Sequence, residues 1–351
     1  MFLSSPLNGF FPAGAGCSRP TSTLSQLVRA RKFLVRRHVK GMIHNIDNNH
    51  LEQLEHSPHM RVKTMTLADT LIRGGNRTFD FFLRIDPGDV LNAGTPTEKS
   101  SNPARAMMKA SKSLLADALD PDTGLIDYRS LRESDAYTQF RGITRQLSAC
   151  KPGDLGHGPA LMAFWINLYN ALIIDAVISF GIQGSIMSRP GIFRQAAYNV
   201  GGLRFSADEI EHGILRRNRP NPVMHFRSFA ADDPRLSLMV DHLDPRIHFS
   251  LVCGARSCPP IAFYDHEHLD RQLDQAAAAF INGDGVHYLA ETNTLQLSKI
   301  FQWYLADFGG LPAVLELVQR HVHDMEVRSA LESGDFKVRY LRYDWKVNSS
   351  A

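Results

Sequence analysis

His248, Cys253 and Cys258 fall in one short stretch, Pro245-Arg246-Ile247-His248-Phe249-Ser250-Leu251-Val252-Cys253-Gly254-Ala255-Arg256-Ser257-Cys258-Pro259-Pro260. An imidazole beside a thiol lowers the thiol pKa and yields a thiolate, the nucleophile of acyl-transfer chemistry. The apolar run Arg246 to Val252 reads as a buried strand that stops at Gly254, so the reactive groups would fall in a polar turn at its end. Residues five apart on a strand point to opposite faces, so Cys253 must already belong to the turn for its sulfur to reach the His248 side. The backbone N–H groups of Gly254 to Ser257 are then candidates for an oxyanion hole, and Arg256 and Cys258 for binding. The structural alternative makes Cys253 a small buried hydrophobe and gives His248 a backbone carbonyl as partner.

Other chemistry is less well supported by spacing. A zinc set of Cys253, Cys258, His248 and His212 would use Cys-x4-Cys, at the edge of structural zinc spacing, and no second cysteine pair exists. No metal and no cofactor is expected. A disulfide across the turn is disfavoured as well, because reactive pairs are usually Cys-x-x-Cys. Asn167 and Tyr169, on a long apolar helix, would orient His248 as the amide does in papain-like sites. Asn167 and Asn170 are costly in a core unless hydrogen-bonded; alternatively they tie neighbouring loops to it. Glu211-His212 is either an acid/base pair or one solvated helix face, since adjacent helix residues do not face each other. Arg216, Arg217 and Arg219 read as a solvated helix end, and Phe301, Trp303, Tyr304 and Phe308 as core packing.

The elements that must position these groups follow from pattern and punctuation. Pro103 suits a helix start, and Ala104 to Ala118 and Tyr128 to Leu147 carry helical spacing. Pro159 to Phe180 is apolar nearly all round, the mark of a buried central helix. Tyr198 to Phe205 reads as a hairpin turned at Gly201-Gly202, and Ser206 with Glu209 as a capping box opening a helix to Arg217. Leu269 to Ile281 is a helix, Val286 to Leu297 a hairpin, Ser298 a cap, and Phe336 to Val347 the final strands. Together these give an α+β fold, mainly helical, with a small, mostly antiparallel sheet and a long buried central helix.

Composition bounds the function classes. The 351 residues are 44% hydrophobic, enough for a substantial core, and the net charge of +3 is too small to argue for nucleic acid. The basic surplus sits in an arm before Asp47 (Arg19, Arg29, Arg31, Lys32, Arg36, Arg37, Lys40). Residues 1–45 therefore read as a disordered basic arm or an organelle-targeting segment, and 46–101 as a partly ordered lead-in and linker. Four cysteines in so long a chain are no disulfide framework, which favours a reducing, intracellular compartment. The expected location is cytoplasmic, with mitochondrion or plastid as the alternative if the arm is a targeting segment. No uninterrupted apolar stretch reaches the roughly 20 residues of a membrane helix, Ala171 to Phe180 being broken by Asp175.

Several segments resemble the family named for domain of unknown function 547. They are Ala163-Phe164-Trp165-Ile166-Asn167-Leu168-Tyr169-Asn170-Ala171-Leu172, Tyr198-Asn199-Val200-Gly201-Gly202, Ile210-Glu211-His212-Gly213-Ile214-Leu215-Arg216, the His248–Cys258 stretch, Phe301-Gln302-Trp303-Tyr304-Leu305-Ala306-Asp307-Phe308 and Tyr340-Leu341-Arg342-Tyr343-Asp344-Trp345-Lys346-Val347-Asn348. They run in order from about residue 102 to 348. Met60 to Asn92 resembles the tail of a DEP module. The resemblance implies no activity, cofactor or partner. The expectation is an intracellular, non-catalytic scaffold or signalling adaptor, with a protein as its partner. The alternative is a cysteine-dependent hydrolase or acyltransferase using Cys253, His248 and Asn167.

Overall fold

The computed structural model describes residues 66–95, 102–116, 118–120 and 122–350. The basic arm, its targeting reading and most of the linker lie outside the described residues. Helix α1 (Leu67–Leu83) opens on a Thr66 capping box with Asp69 and ends at Arg84 in the left-handed region. Helix α2 (Pro103–Ala116) follows. The expected single helix from Tyr128 is instead α3 (Tyr128–Arg132) and α4 (Asp135–Arg145), because Ser134 caps Tyr137 N–H and restarts the chain.

Helix α5 (Pro159–Ser179) starts with Pro159 in its first turn and is buried from Leu161 to Ile178. It is long and apolar enough to cross a membrane by length and composition, yet it lies wholly inside the fold, where a core helix belongs. Asp175 sits near its C-terminal end, fully buried, and accepts hydrogen bonds from Tyr137, Tyr198 and Ser179 and, at both oxygens, from Arg141. Those partners satisfy the charge and pin α4 and the first hairpin to α5. The hairpin pairs β1 (Ala197–Val200) with β2 (Leu203–Ser206) around Gly201-Gly202. A second, three-stranded sheet places β4 (Thr294–Leu297) between antiparallel β3 (Val286–Leu289) and parallel β5 (Lys337–Tyr340). Between them run α6 (Leu269–Phe280), before β3, and α7 (Lys299–Trp303), α8 (Leu305–Phe308), α9 (Leu311–His321) and α10 (Met325–Ser333), before β5. The α+β class holds, with both sheets small.

Two further segments differ from expectation. Arg246 to Val252 is not a strand: Pro245–Phe249 forms a 3-10 turn, opened by Asp244 accepting from Arg246 N–H with Pro245 in the first position. That cap-and-proline signal outweighs the β-branched residues after it. The final strands shrink to β5, and residues beyond it pair singly with loops, Ser185 with Lys346 and Ala255 with Val347.

The apolar interior has two parts. One surrounds α5, and the other gathers Phe249, Phe280, Phe301 and Phe308 with α9 and α10. Ile247 and Leu251 belong to the first and Phe249 to the second, so the 245–253 segment stitches the two together.

Candidate functional site

A cleft of about 160 Å³ opens at this seam. Tyr169 and Leu251 line it from the α5 side, Ile300, Trp303 and Tyr304 from the other, and Tyr343 packs against both cores. Of the residues singled out above, the cleft gathers His248, Cys253, Cys258, Tyr169, Glu211 and His212. Asn167, Asn170 and Arg256 lie outside it.

Those three have other work. Asn167 exchanges both amide hydrogen bonds with the Tyr264 backbone, at 2.8 and 2.7 Å. Asn170 donates to the Ser250 and Ala262 carbonyls and accepts from Val252 N–H. They tie the 250–264 loop to α5 and do not touch the imidazole. Arg256 is exposed. Half of the expected oxyanion hole is also spoken for, because the Arg256 and Ser257 N–H groups donate to the Lys346 and Asp344 carbonyls. Cys253 and Cys258 are joined in a disulfide, against the spacing argument. The turn at Gly254, in the left-handed region, brings their backbones to a Cα separation of 6.3 Å. The Tyr343 hydroxyl lies 3.2 Å from each sulfur.

His248 is buried and stacks on Tyr304, ring centroids 3.7 Å apart. Its Nε2 lies 3.0 Å from Asp307 Oδ2. Asp307 also accepts from Arg216, at 2.5 Å from Nε and 3.2 Å from Nη2, and from Arg219. Burial pushes the Asp307 carboxyl up, but His248 and Arg216 outweigh it and hold the group well below the usual carboxylate range. An ionised Asp307 makes Nε2 of His248 the protonated nitrogen. Nδ1 keeps its lone pair and has no partner among the described residues. Burial lowers the His248 pKa, and the Asp307 hydrogen bond only partly opposes this.

Glu211 and His212 sit on a stretch with wide turns, in which Arg216 N–H reaches the Glu211 carbonyl and Asn218 N–H the Gly213 carbonyl. Such five-residue hydrogen bonding recurs at functional sites. It brings both side chains into the interior, so the solvated-face alternative fails. The Tyr304 hydroxyl donates to the Glu211 carboxylate, and burial followed by the Glu211 charge pushes both the Tyr304 and Tyr169 phenols well above their ordinary pKa. Arg216 Nη1 donates to His212 Nδ1 at 2.9 Å, leaving the proton on Nε2, 3.3 Å from Asp208. Burial pushes Asp208 up, yet His212 and Arg194 lower it overall. Arg216 is thus buried rather than a solvated helix end, while Arg217 and Arg219 are exposed.

Asp307, Asp208, Trp303, Tyr343 and Trp345 were not expected in the site. Asp307 is the lone acid in an aromatic run, and an acid among residues read as core was the available signal.

Fold and site together define an α+β protein with a histidine–carboxylate centre buried where two cores meet. Residues 157–281 match the family model described as "Protein of unknown function, DUF547". Over that span, which carries α5, the wide-turned helix and the His248–Cys258 segment, the chain resembles this family. No curated protein and no solved structure matches the chain.

Proposed function

We propose that the cleft is the active site of a cysteine-dependent hydrolase or acyltransferase, with Cys253 as nucleophile, His248 as base and Asp307 in the orienting role expected of Asn167. One observation carries it: a buried imidazole, hydrogen-bonded through Nε2 to an ionised carboxylate, borders the cleft that also holds Cys253. That is the arrangement a base–orienter pair needs. The working unit is taken as residues 102–348, since Trp303 and Tyr343 line the cleft, and Asp307 bonds His248, from beyond the matched segment.

The cycle starts by reduction. Two thiols of a small reductant become its disulfide, and Cys253 and Cys258 become thiols. His248 Nδ1 takes the Cys253 proton as sulfur attacks the acyl carbon, and Tyr343 O–H donates to the oxyanion. Collapse expels the leaving group, which takes the proton from His248. Water or an acceptor then attacks the thioester, its proton passing to Nδ1 and back to the departing sulfur. The disulfide favours a second reading, a non-catalytic scaffold or signalling adaptor, because the oxidised cleft has no nucleophile.

Alkylation by iodoacetamide against pH separates the two, using a reduced Cys17→Ser/Cys258→Ser background. Cys150 does not confuse the readout, since burial pushes its thiol up to about 11. The hydrolase reading expects Cys253 to react with a midpoint well below about 8.5, and His248→Gln to return it toward that value. An ordinary midpoint, unchanged by His248→Gln, leaves the adaptor.

A further inference from the structure

Glu211 has no task in that cycle. It is 9% exposed and lines the cleft. Among the described residues no lysine or arginine lies within ion-pair distance of it. Its nearest basic group is His212, with Nδ1 at 3.8 Å, and that nitrogen is already engaged by Arg216 Nη1. The neighbouring arginines are committed: Arg216 to Asp307, and Arg194 to Asp80 and Asp208. Among the described residues lining the cleft there are two carboxylates and no lysine or arginine. The Tyr304 phenol bonds one Glu211 oxygen, but among the described residues the carboxylate has no lysine or arginine partner.

The opposite wall supplies a second, independent observation. Trp303, Tyr343 and Trp345 cluster with ring centroids 4.6 to 5.7 Å apart. Glu211 and these three rings line the same cleft, and the Glu211 charge adds to burial in raising the Tyr343 pKa. Aromatic faces beside a carboxylate that has no lysine or arginine partner attract an organic cation through charge and ring quadrupole together. The space, about 160 Å³, suits a head group rather than a large ligand.

We propose that the cleft binds an organic ammonium group, seated against the Glu211 carboxylate and the faces of Trp303, Tyr343 and Trp345. Resting on the acyl-transfer reading, this makes the substrate an ester, thioester or amide with a cationic amine near its scissile carbonyl. Binding itself needs no thiol.

Choline and 3,3-dimethylbutan-1-ol have nearly the same shape and differ in charge, which makes them suitable probes. Each is titrated by calorimetry into the full-length oxidised protein. Choline is expected to bind at least about 10-fold more tightly than the neutral alcohol. Glu211→Gln abolishes that preference, and Trp303→Leu weakens choline several-fold. Equal affinities, no choline binding at up to about 10 mM, or a preference that survives Glu211→Gln would overturn the proposal. Should Glu211→Gln fail to fold, the wild-type charge preference together with Trp303→Leu decides. Because the oxidised protein has no nucleophile, the binding result stands apart from the alkylation result. Charge-selective binding with an ordinary Cys253 midpoint would retain the ammonium site and discard the hydrolase.

Discussion

A buried polar chain runs Asp208–His212–Arg216–Asp307–His248, each group within hydrogen-bond or ion-pair distance of the next. Arg216 is its pivot. A buried guanidinium against two groups is stable only while both keep lone pairs turned toward it. This predicts how stability depends on pH. Burial lowers the His248 pKa from its ordinary 6.5, so below that pH the unfolded chain takes up a proton that the native ring refuses. Protons bound by the unfolded state then exceed those bound by the native state, and stability falls as pH drops through about 6.5 toward the native pKa. Between about pH 7 and pH 5, thermal melts of the wild type should lose midpoint faster than those of His248→Gln. Parallel curves would mean the native ring protonates as readily as a free one. His248 and the cysteine pair were legible in the sequence because reactive residue types rarely crowd together by accident. Asp307 and Arg216 were not, because an acid in an aromatic run and an arginine among arginines look ordinary until tertiary contact pairs them.

The wide-turned helix places the carboxylate and imidazole of adjacent residues in the same interior. Ser206 and Glu209 announce where it begins, and their reciprocal hydrogen bonds form as the sequence pattern implies. Its widening is not announced; the Phe229 ring, from downstream in the chain, packs against Gly213, where an added Cβ would overlap it. Gly213→Ala should therefore cost about 1–3 kcal/mol, the range of an overpacked core, and should weaken choline binding by moving Glu211. Gly74, exposed in the middle of α1 with open space around it, provides the opposite sign. There Gly→Ala should add about 0.5–1 kcal/mol through helix propensity alone. Chemical denaturation of both variants checks the pair, and a neutral Gly213→Ala would show that the ring has room to withdraw. The 245–249 turn teaches the same lesson. Asp244-Pro245 is a helix-start signature, but a count of β-branched residues drowned it.

For the whole molecule, the two cores are closed by the chain's last described stretch. Ile186 donates to Trp345, Val347 to Gly184, Arg256 to Lys346, Asn348 to Gly254 and Ile126 to Asn348, so one strap binds three regions far apart in sequence. Tyr128 O–H adds a buried hydrogen bond to Asn348 Oδ1 at 2.8 Å. Read from sequence, the same residues extend a strand, because alternation signals extended backbone but never names a distant partner. Their contribution is large. Six such hydrogen bonds at about 1 kcal/mol net each, with Val347 and much of Tyr343 and Trp345 withdrawn from water, rival the 5–15 kcal/mol that holds an ordinary domain together. Ending the chain after Tyr340 should therefore abolish the single cooperative transition in a circular-dichroism melt, and the aromatic wall would go with it. The Asn348→Ala variant isolates one link: it strands the Tyr128 hydroxyl in the core and should cost about 1–3 kcal/mol while leaving the cleft residues in place. A truncated chain that still melts as one unit would show that the cores hold each other without the strap, and that the cleft is their own seam.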